Sequence, residues 1–326
     1  LNSYKIIIDT DPGIDDGLAI MLALACAEFD ILGLTSIFGN VPVDLATENA
    51  LRLLALAERT EIPVVPGASR SWGQPYKGAK ASVHGEDGQG NVFSPSAAQN
   101  PLKISAAEFI VDQISQCPNE VTLVALGPLT NLADALKRDP EIQHQVKEVV
   151  FMGGNAFSPG NTNPVAEANI LSDPEAADFV LEHHWPMTMV GLDVTQKTYL
   201  PASMISELGS KSSAIGKQVF GAYQHYLKFY KEVNQMDGTW VHDSSAFIYL
   251  LNKEIYQTSD YPIRVETADS ISRGKTWPSV KDYSFIPGQH NPWLDRPKVK
   301  VCVDVNGEAA IQLLKYRLMN TVFPNR

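Results

Sequence analysis

An apolar strand that runs directly into four aspartates within eight residues decides how this chain begins to fold: Lys5 to Asp16 reads K-I-I-I-D-T-D-P-G-I-D-D. Ile6, Ile7 and Ile8 have the profile of a short buried strand. Its period of 2 puts Asp9 and Asp11 on the same side of the chain as it leaves the sheet. Pro12-Gly13 makes a turn, and Asp15-Asp16 open an apolar helix over 17–27, where negative charge also suits the helix dipole. Carboxylates this close raise one another's pKa, so ionising them together calls for a cation or several strong donors. A hard, oxygen-preferring metal is the first expectation. Neighbouring helical residues point about 100° apart, which lets one of Asp15 and Asp16 face a metal while the other faces a substrate.

The rest of the chain repeats the strand-then-helix unit. A strand over 30–38 ends in Gly39-Asn40 and is followed by a helix over 44–59 and a short strand over 63–66. The Gly/Pro/Ser-rich stretch 67–101 reads as a long loop of the kind that is usually functional, with His84 among its glycines. Helix 104–116, strand 121–126, a turn through Asn131 into a helix, and strand 146–152 closing on Gly153-Gly154 come next. An irregular segment carrying Asn161, Glu167 and Asn169 precedes a helix opened by Asp173-Pro174 and a strand over 187–194. This alternation predicts an α/β fold with a mainly parallel, doubly wound open sheet and helices on both faces. The C-terminal part reads as helical, with 213–233 carrying Tyr223, Tyr226 and Tyr230 at spacings more typical of core than of a pocket. Late strands are expected at 263–266 and 299–305, and a last helix at 308–319. With no repeat or linker in sight, residues 1–326 read as a single domain.

At 326 residues, 44% of them hydrophobic, the chain is ample for a large core. A net charge of −11 and a pI near 5.1, with no basic run, argue against nucleic-acid and anionic-membrane partners and favour a small neutral or cationic one. Cys26, Cys117 and Cys302 are odd in number and widely separated, which favours a reducing compartment over a disulfide framework. No stretch is long and apolar enough to span a bilayer, so a cytoplasmic protein is expected, with an export signal ahead of Leu1 left open.

Parallel strands all end on the same edge, so Asn40, the Leu126-Gly127 strand end and Met152 join the aspartates there, where open α/β sheets bind ligands. His242-Asp243 is distant in sequence and, taken alone, reads as a helix start with Asp243 as its N-cap. Together with the aspartate stretch, G-N at 39–40, H-G-E at 84–86, F-M-G-G at 151–154, A-E-A-N-I at 166–170 followed by D-P-E-A-A, and V-H-D at 241–243 resemble the inosine-uridine nucleoside hydrolases, in order and over most of the chain.

The resemblance implies calcium-dependent hydrolysis of the N-glycosidic bond of purine or pyrimidine ribonucleosides by a homodimer or homotetramer. It makes Asp11, Asp16, Asp243 and the backbone carbonyl of Leu126 the Ca²⁺ ligands, with Asp9 supporting them. Asp11 would also take a proton from the attacking water, which Asn40 orients. Asp15, Asn161, Glu167 and Asn169 would contact ribose hydroxyls, and His242 would stand beside the leaving base. Met152, His84, Tyr230 and Trp240 complete the expected substrate pocket.

The residue types suit that chemistry. An oxocarbenium-like sugar calls for nearby carboxylates, one of which activates water. All-oxygen ligands favour Ca²⁺ over Zn²⁺. A histidine titrating near neutrality would protonate the departing base. Two departures, Ala168 in place of a common phenylalanine and Asn234 near the base, leave base preference open. One rival is a haloacid-dehalogenase-type Mg²⁺ phosphatase, suggested by Asp9-Thr10-Asp11, which leaves Asp15-Asp16, Asn40 and the Glu167 segment unexplained. The other is a non-catalytic nucleoside-binding relative.

Overall fold

The computed structural model describes residues 3–92, 97, 99–210, 213–281 and 291–323. Its strands are β1 (Tyr4–Thr10), β2 (Phe29–Ser36), β3 (Val64–Pro66), β4 (Val121–Ala125), β5 (Glu148–Met152), β6 (Met187–Val190), β7 (Tyr199–Pro201), β8 (Gly238–Trp240), β9 (Tyr256–Val265), β10 (Thr276–Pro278) and β11 (Lys298–Val305). Nine of them form one sheet in the order β10-β9-β11-β6-β5-β4-β1-β2-β3, and β7 pairs with β8 separately. From β3 to β6 and on to β11 every neighbour is parallel, and β9 alone runs against them, pairing antiparallel with β11 on one side and β10 on the other, at one edge.

The helices are α1 (Ile14–Leu24), α2 (Val43–Leu56), α3 (Ala81–His84), α4 (Ala106–Gln116), α5 (Thr130–Arg138), α6 (Ala168–Ser172), α7 (Pro174–Glu182), α8 (Leu192–Thr195), α9 (Ala202–Gly209), α10 (Ala214–Asn234), α11 (Ser244–Leu251) and α12 (Gly307–Asn320). The alternation along β1 sorts them onto two faces. Ile6 and Ile8 pack into a core shared with α1, α2, α10, α11 and α12, whereas Ile7 points into a second core shared with α4, α5 and α7. A strand buried on both faces has to be apolar throughout, which is why three consecutive isoleucines begin the chain's first element.

The half of the sheet that runs β3-β2-β1-β4-β5-β6 reverses its winding between β1 and β4. That switch point opens a crevice at the carboxyl ends of the strands. Residues following β1 and β4 therefore face each other across it, Asp9 pairing in register with Ala125.

Four features depart from the sequence expectation. The strand expected over 187–194 stops at Val190, where Gly191 leads into α8. The segment 67–101 is not loop throughout, because α3 interrupts it and buries His84. Late strand β9 is 10 residues long rather than four, its exposed, polar N-terminal half having hidden it from a hydrophobicity reading. The helical C-terminal part also contains the β7–β8 pair, whose strands of three residues are too short to show a period.

Candidate active site

The acidic stretch leaves β1, turns at Pro12-Gly13 and enters α1, and its carboxylates are buried together. Asp11 and Asp16 have no solvent exposure, and Asp9, Asp15 and Asp243 are also buried. One oxygen of Asp11 accepts the Asn40 backbone N–H at 2.6 Å. A methyl group on Gly39 would lie 1.9 Å from that same oxygen, so only glycine lets β2's exit approach so closely. Asp16 accepts from the Thr10 hydroxyl at 2.5 Å, the Gly13 N–H at 2.9 Å and the Asn40 side-chain amide at 3.1 Å. Asp9 lies below, accepting from Thr35 at 2.5 Å and Asn131 at 2.6 Å.

Asp243 arrives from the other end of the chain. It stands at the start of α11, yet its side chain makes no capping hydrogen bond, so the N-cap reading fails. Its carboxylate is turned instead toward the acidic turn, where ligand atoms of Asp15, Asp16 and Asp243 lie within 4.8 Å of one another. Asp15, expected from the sequence to contact the ribose, stands beside Asp16 and Asp243 and also lines the cavity above them. Asp11 is tied to the same cluster by charge, since Asp16 and Asp15 both raise its pKa.

Without a counter-charge the cluster holds protons. Burial, then the neighbouring Asp16, pushes Asp15 up to about 7. Asp11 is raised well above the carboxylate range by burial and then Asp16, and Asp243 by burial and then Asp15, Asp16 and Asp11. Burial raises Asp16 also, while its hydrogen bond with Asp243 lowers it, the two sharing a proton. Burial takes Asp9 up to about 7 against the pull of Thr35 and Asn131. One oxygen each of Asp9, Asp11 and Asp15 is buried with no hydrogen-bond partner. Buried, unpartnered carboxylate oxygens beside a cluster of three carboxylates whose ligand atoms lie within 4.8 Å of one another fit a hard divalent cation.

Above this floor lies a cavity of about 320 Å³. Asp15, Asn40, His84, Leu126, Met152, Asn161, Glu167, Asn169, Tyr230, Trp240, His242 and Asp243 all line it, while Asp9, Asp11 and Asp16 sit beneath. Among its described lining residues Lys80 is the one permanent cation. The Asn169 amide donates to the Leu126 carbonyl at 2.7 Å and the Met152 carbonyl at 3.1 Å, tying the ends of β4 and β5 together. Glu167 caps α6, accepting from the N–H groups of Asn169, Ile170 and Gly154 at 2.8, 3.0 and 2.9 Å. Asn161 is at the exposed rim and accepts the Ala168 N–H at 3.0 Å.

The two histidines of the cavity are both buried. His84 lines the cavity and its Nδ1 accepts the Ile14 N–H at 3.2 Å, anchoring the start of α1. Burial, then the charges of Lys80, His225 and His242, pushes its pKa down to about 3. His242 is held between the Tyr230 hydroxyl, 3.0 Å from Nε2, and the Thr195 hydroxyl, 2.9 Å from Nδ1. Burial pushes His242 down to about 4, so it is neutral at pH 7 rather than titrating near neutrality.

Sequence reasoning missed Tyr226, whose hydroxyl donates to Asp15 at 3.3 Å. Tyr226, Tyr230 and Asn234 recur every four residues along α10, and all three line the cavity; that stripe was the available signal. Thr10, Thr35, Thr195 and Asn131 also escaped notice, because ordinary polar residues in strands and helix starts carry no local mark.

The inosine-uridine preferring nucleoside hydrolase model matches residues 6–312. The chain is 40% identical to a probable uridine nucleosidase 2 of Arabidopsis thaliana, covering 97% of this chain and 98% of that one. It is 36% identical to a pyrimidine-specific ribonucleoside hydrolase of Salmonella arizonae, again over 97% and 98%. Among solved structures, a plant nucleoside hydrolase superposes with a TM-score of 0.93 at 36% identity, over 97% of this chain and 99% of that one. Given that agreement with a buried acidic site at the sheet's switch point, the chain belongs to the inosine-uridine preferring nucleoside hydrolase family and is an enzyme acting on ribonucleosides.

Proposed function

We propose that the enzyme uses Ca²⁺ to hydrolyse the N-glycosidic bond of ribonucleosides, uridine foremost, giving ribose and free base. The observation that carries the reading is the buried cluster of Asp15, Asp16 and Asp243, with Asp11 coupled to it by charge, at the floor of a cavity walled on one side by aromatic rings. Uridine is put first because relatives at 36–40% identity bear the names uridine nucleosidase and pyrimidine-specific ribonucleoside hydrolase.

Asp11, Asp16 and Asp243, with the Leu126 carbonyl, would hold the cation, and Asp15 is close enough to join them or to take a ribose hydroxyl. Such an ion supplies Lewis acidity and a fixed positive charge for the ribose diol. The chain's own residues do the rest. Asp11, its other oxygen fixed by Asn40, takes the proton of the water that attacks C1′. The surrounding carboxylates stabilise the positive sugar as the C–N bond breaks. Asn169 orients the two backbone carbonyls, and Glu167 fixes the start of α6 against the end of β5.

His242, neutral and fixed in orientation by Thr195, would donate through a ring N–H or through the Tyr230 hydroxyl to the departing base. Only its protonation state changes from the sequence-based picture. The fold reads as one domain, and a homodimer or homotetramer is the expected assembly. The test is reducing-sugar release from a ribonucleoside panel with Ca²⁺ present and with the protein chelated. Release from uridine that chelation abolishes and Ca²⁺ restores is expected. Phosphate release from phosphoesters with no release from nucleosides would overturn the reading in favour of a phosphatase.

A further inference from the structure

Outside the acidic floor and Glu167, the described residues hold three buried carboxylates. Asp173 caps α7, and Asp178 pairs with Arg264 and Arg296. Asp193 has neither task. It stands in the first turn of α8, and its carboxylate accepts three consecutive backbone N–H groups of another segment: Ala156 at 2.8 Å, Phe157 at 2.7 Å and Ser158 at 2.9 Å. Asp193 is not part of the cavity wall, so it acts on a substrate only through what it holds.

What it holds is the start of the loop 153–167, which brings Asn161 and Glu167 to the cavity wall. The ends of the loop are closed on each other, the Gly154 N–H donating to Glu167 at 2.9 Å. Inside it, the Asn155 amide donates to the Ser158 and Val165 carbonyls at 2.8 and 2.9 Å. From the far side Thr276 and Lys275 hold Asn155, and Lys275 reaches the Ser158 carbonyl more loosely at 3.4 Å. The N–H groups of 156–158, on the way to Asn161, depend on Asp193. A Cβ on Gly191 would lie 2.6 Å from the Gly154 carbonyl, so α8 meets the loop with no side chain between them.

Two residues further along α8, the Thr195 hydroxyl lies 2.9 Å from His242 Nδ1. Helical residues two apart point about 200° from each other. One turn of helix thus faces the ribose loop with Asp193 and the histidine with Thr195. We propose that Asp193 is a positioning residue for ribose recognition: through Ala156, Phe157 and Ser158 it sets where the loop presents Asn161 and Glu167. This rests on the nucleoside-hydrolase reading above.

The experiment measures kcat/KM of the Ca²⁺-loaded enzyme for uridine, its 2′-, 3′- and 5′-deoxy analogues and a nitrophenyl riboside. Asp193→Ala should lower uridine about 10²-fold, the usual cost of a small misplacement of positioning groups. An analogue lacking a hydroxyl that the loop holds has less to lose, so discrimination against at least one of the three should narrow at least about tenfold. Asp193→Asn, which keeps one oxygen for Phe157 and Ser158, should narrow it less. The ratio of uridine to nitrophenyl riboside, which share the same sugar, should stay at the wild-type value in both variants and move instead in Thr195→Val.

Equal losses on uridine and all three analogues would overturn the inference and leave the parent reading intact. So would wild-type constants in Asp193→Ala, or a leaving-group ratio moved by it as far as by Thr195→Val. Should Asp193→Ala not fold, the same ratios in Asp193→Asn decide. No turnover of uridine or the nitrophenyl riboside by the wild type would remove the parent reading and the inference together.

Discussion

The acidic floor and the aromatic wall of the cavity are built on different principles. The floor comes from the ends of β1, β2 and β4 and the first turns of α1 and α11, and Asp9, Asp11 and Asp16 are held by backbone or by side chains from the sheet edge and its turns. The wall comes mainly from one face of α10 and from β8, where Tyr230 packs edge-on against Trp240 with ring centroids 5.6 Å apart. At its outer end Val233 is 62% exposed. The floor is rigid and dehydrated, as electrostatic catalysis requires, whereas the wall is partly open and rests on packing, which tolerates substitution by other large side chains. On the proposed reading, chemistry is fixed by the sheet and base recognition is left to a helix that can vary.

If that division is right, the deepest damage comes from the floor. Asp11→Asn should cost at least about 10³-fold in kcat, with an unchanged circular-dichroism spectrum; turnover near wild type would remove Asp11 as the base. A change in the wall should cost less and depend on the leaving group. His242→Ala is expected to slow inosine or uridine about 10²-fold and a nitrophenyl riboside far less, because that phenolate needs no proton to depart. Equal losses on both would place His242 in the floor's class and erase the distinction.

The smallest effect is on stability. Asp9 and Asp15 are raised to about 7 in the cation-free fold against about 4 when unfolded. The folded state thus binds more protons between those values, and its stability declines as pH rises through 7. His84 and His242, lowered to about 3 and 4, act oppositely, making the fold more stable as pH rises toward about 6.5. Five raised carboxylates outweigh two imidazoles. Chelated protein should lose roughly 5 °C of Tm between pH 5.5 and 8, and Ca²⁺ should restore more at pH 8 than at pH 5.5. A chelated protein whose Tm rises over that interval would show that the floor is stable with its charges unbalanced.

How much of this was legible in the sequence follows the same division. Ile6 to Asp16 carries its period, its turn and its charge within a dozen residues, so strand, crevice and acidic cluster could be derived from it. Asn40 and Leu126 followed from the rule that parallel strands end together. The roles of His84 and His242 were not legible, because the same histidine is a solvated base or a neutral anchor according to its burial, which arises from α3 and α10 packing against it. Asp243 read as a cap for a related reason: only the tertiary path of α11 turns its carboxylate away from its own helix and toward α1. Tyr226 looked like core because one face of α10 serves as both core and pocket, Tyr223 fully buried within it and Tyr226 meeting Asp15.

The Pro12-Gly13 turn is held from outside. Gln89 donates to the carbonyls of Pro12 and Gly13 at 3.2 and 2.7 Å, Asn49 donates to Pro12 at 3.2 Å, and His84 takes the Ile14 N–H. The work of crowding like charges together is therefore done by folding, and an arriving ion collects the repulsion already stored there. Affinity for the cation becomes a property of the segment around 84–89 as much as of the aspartates. In linkage terms the ion and the seating of that segment must stabilise each other by the same amount.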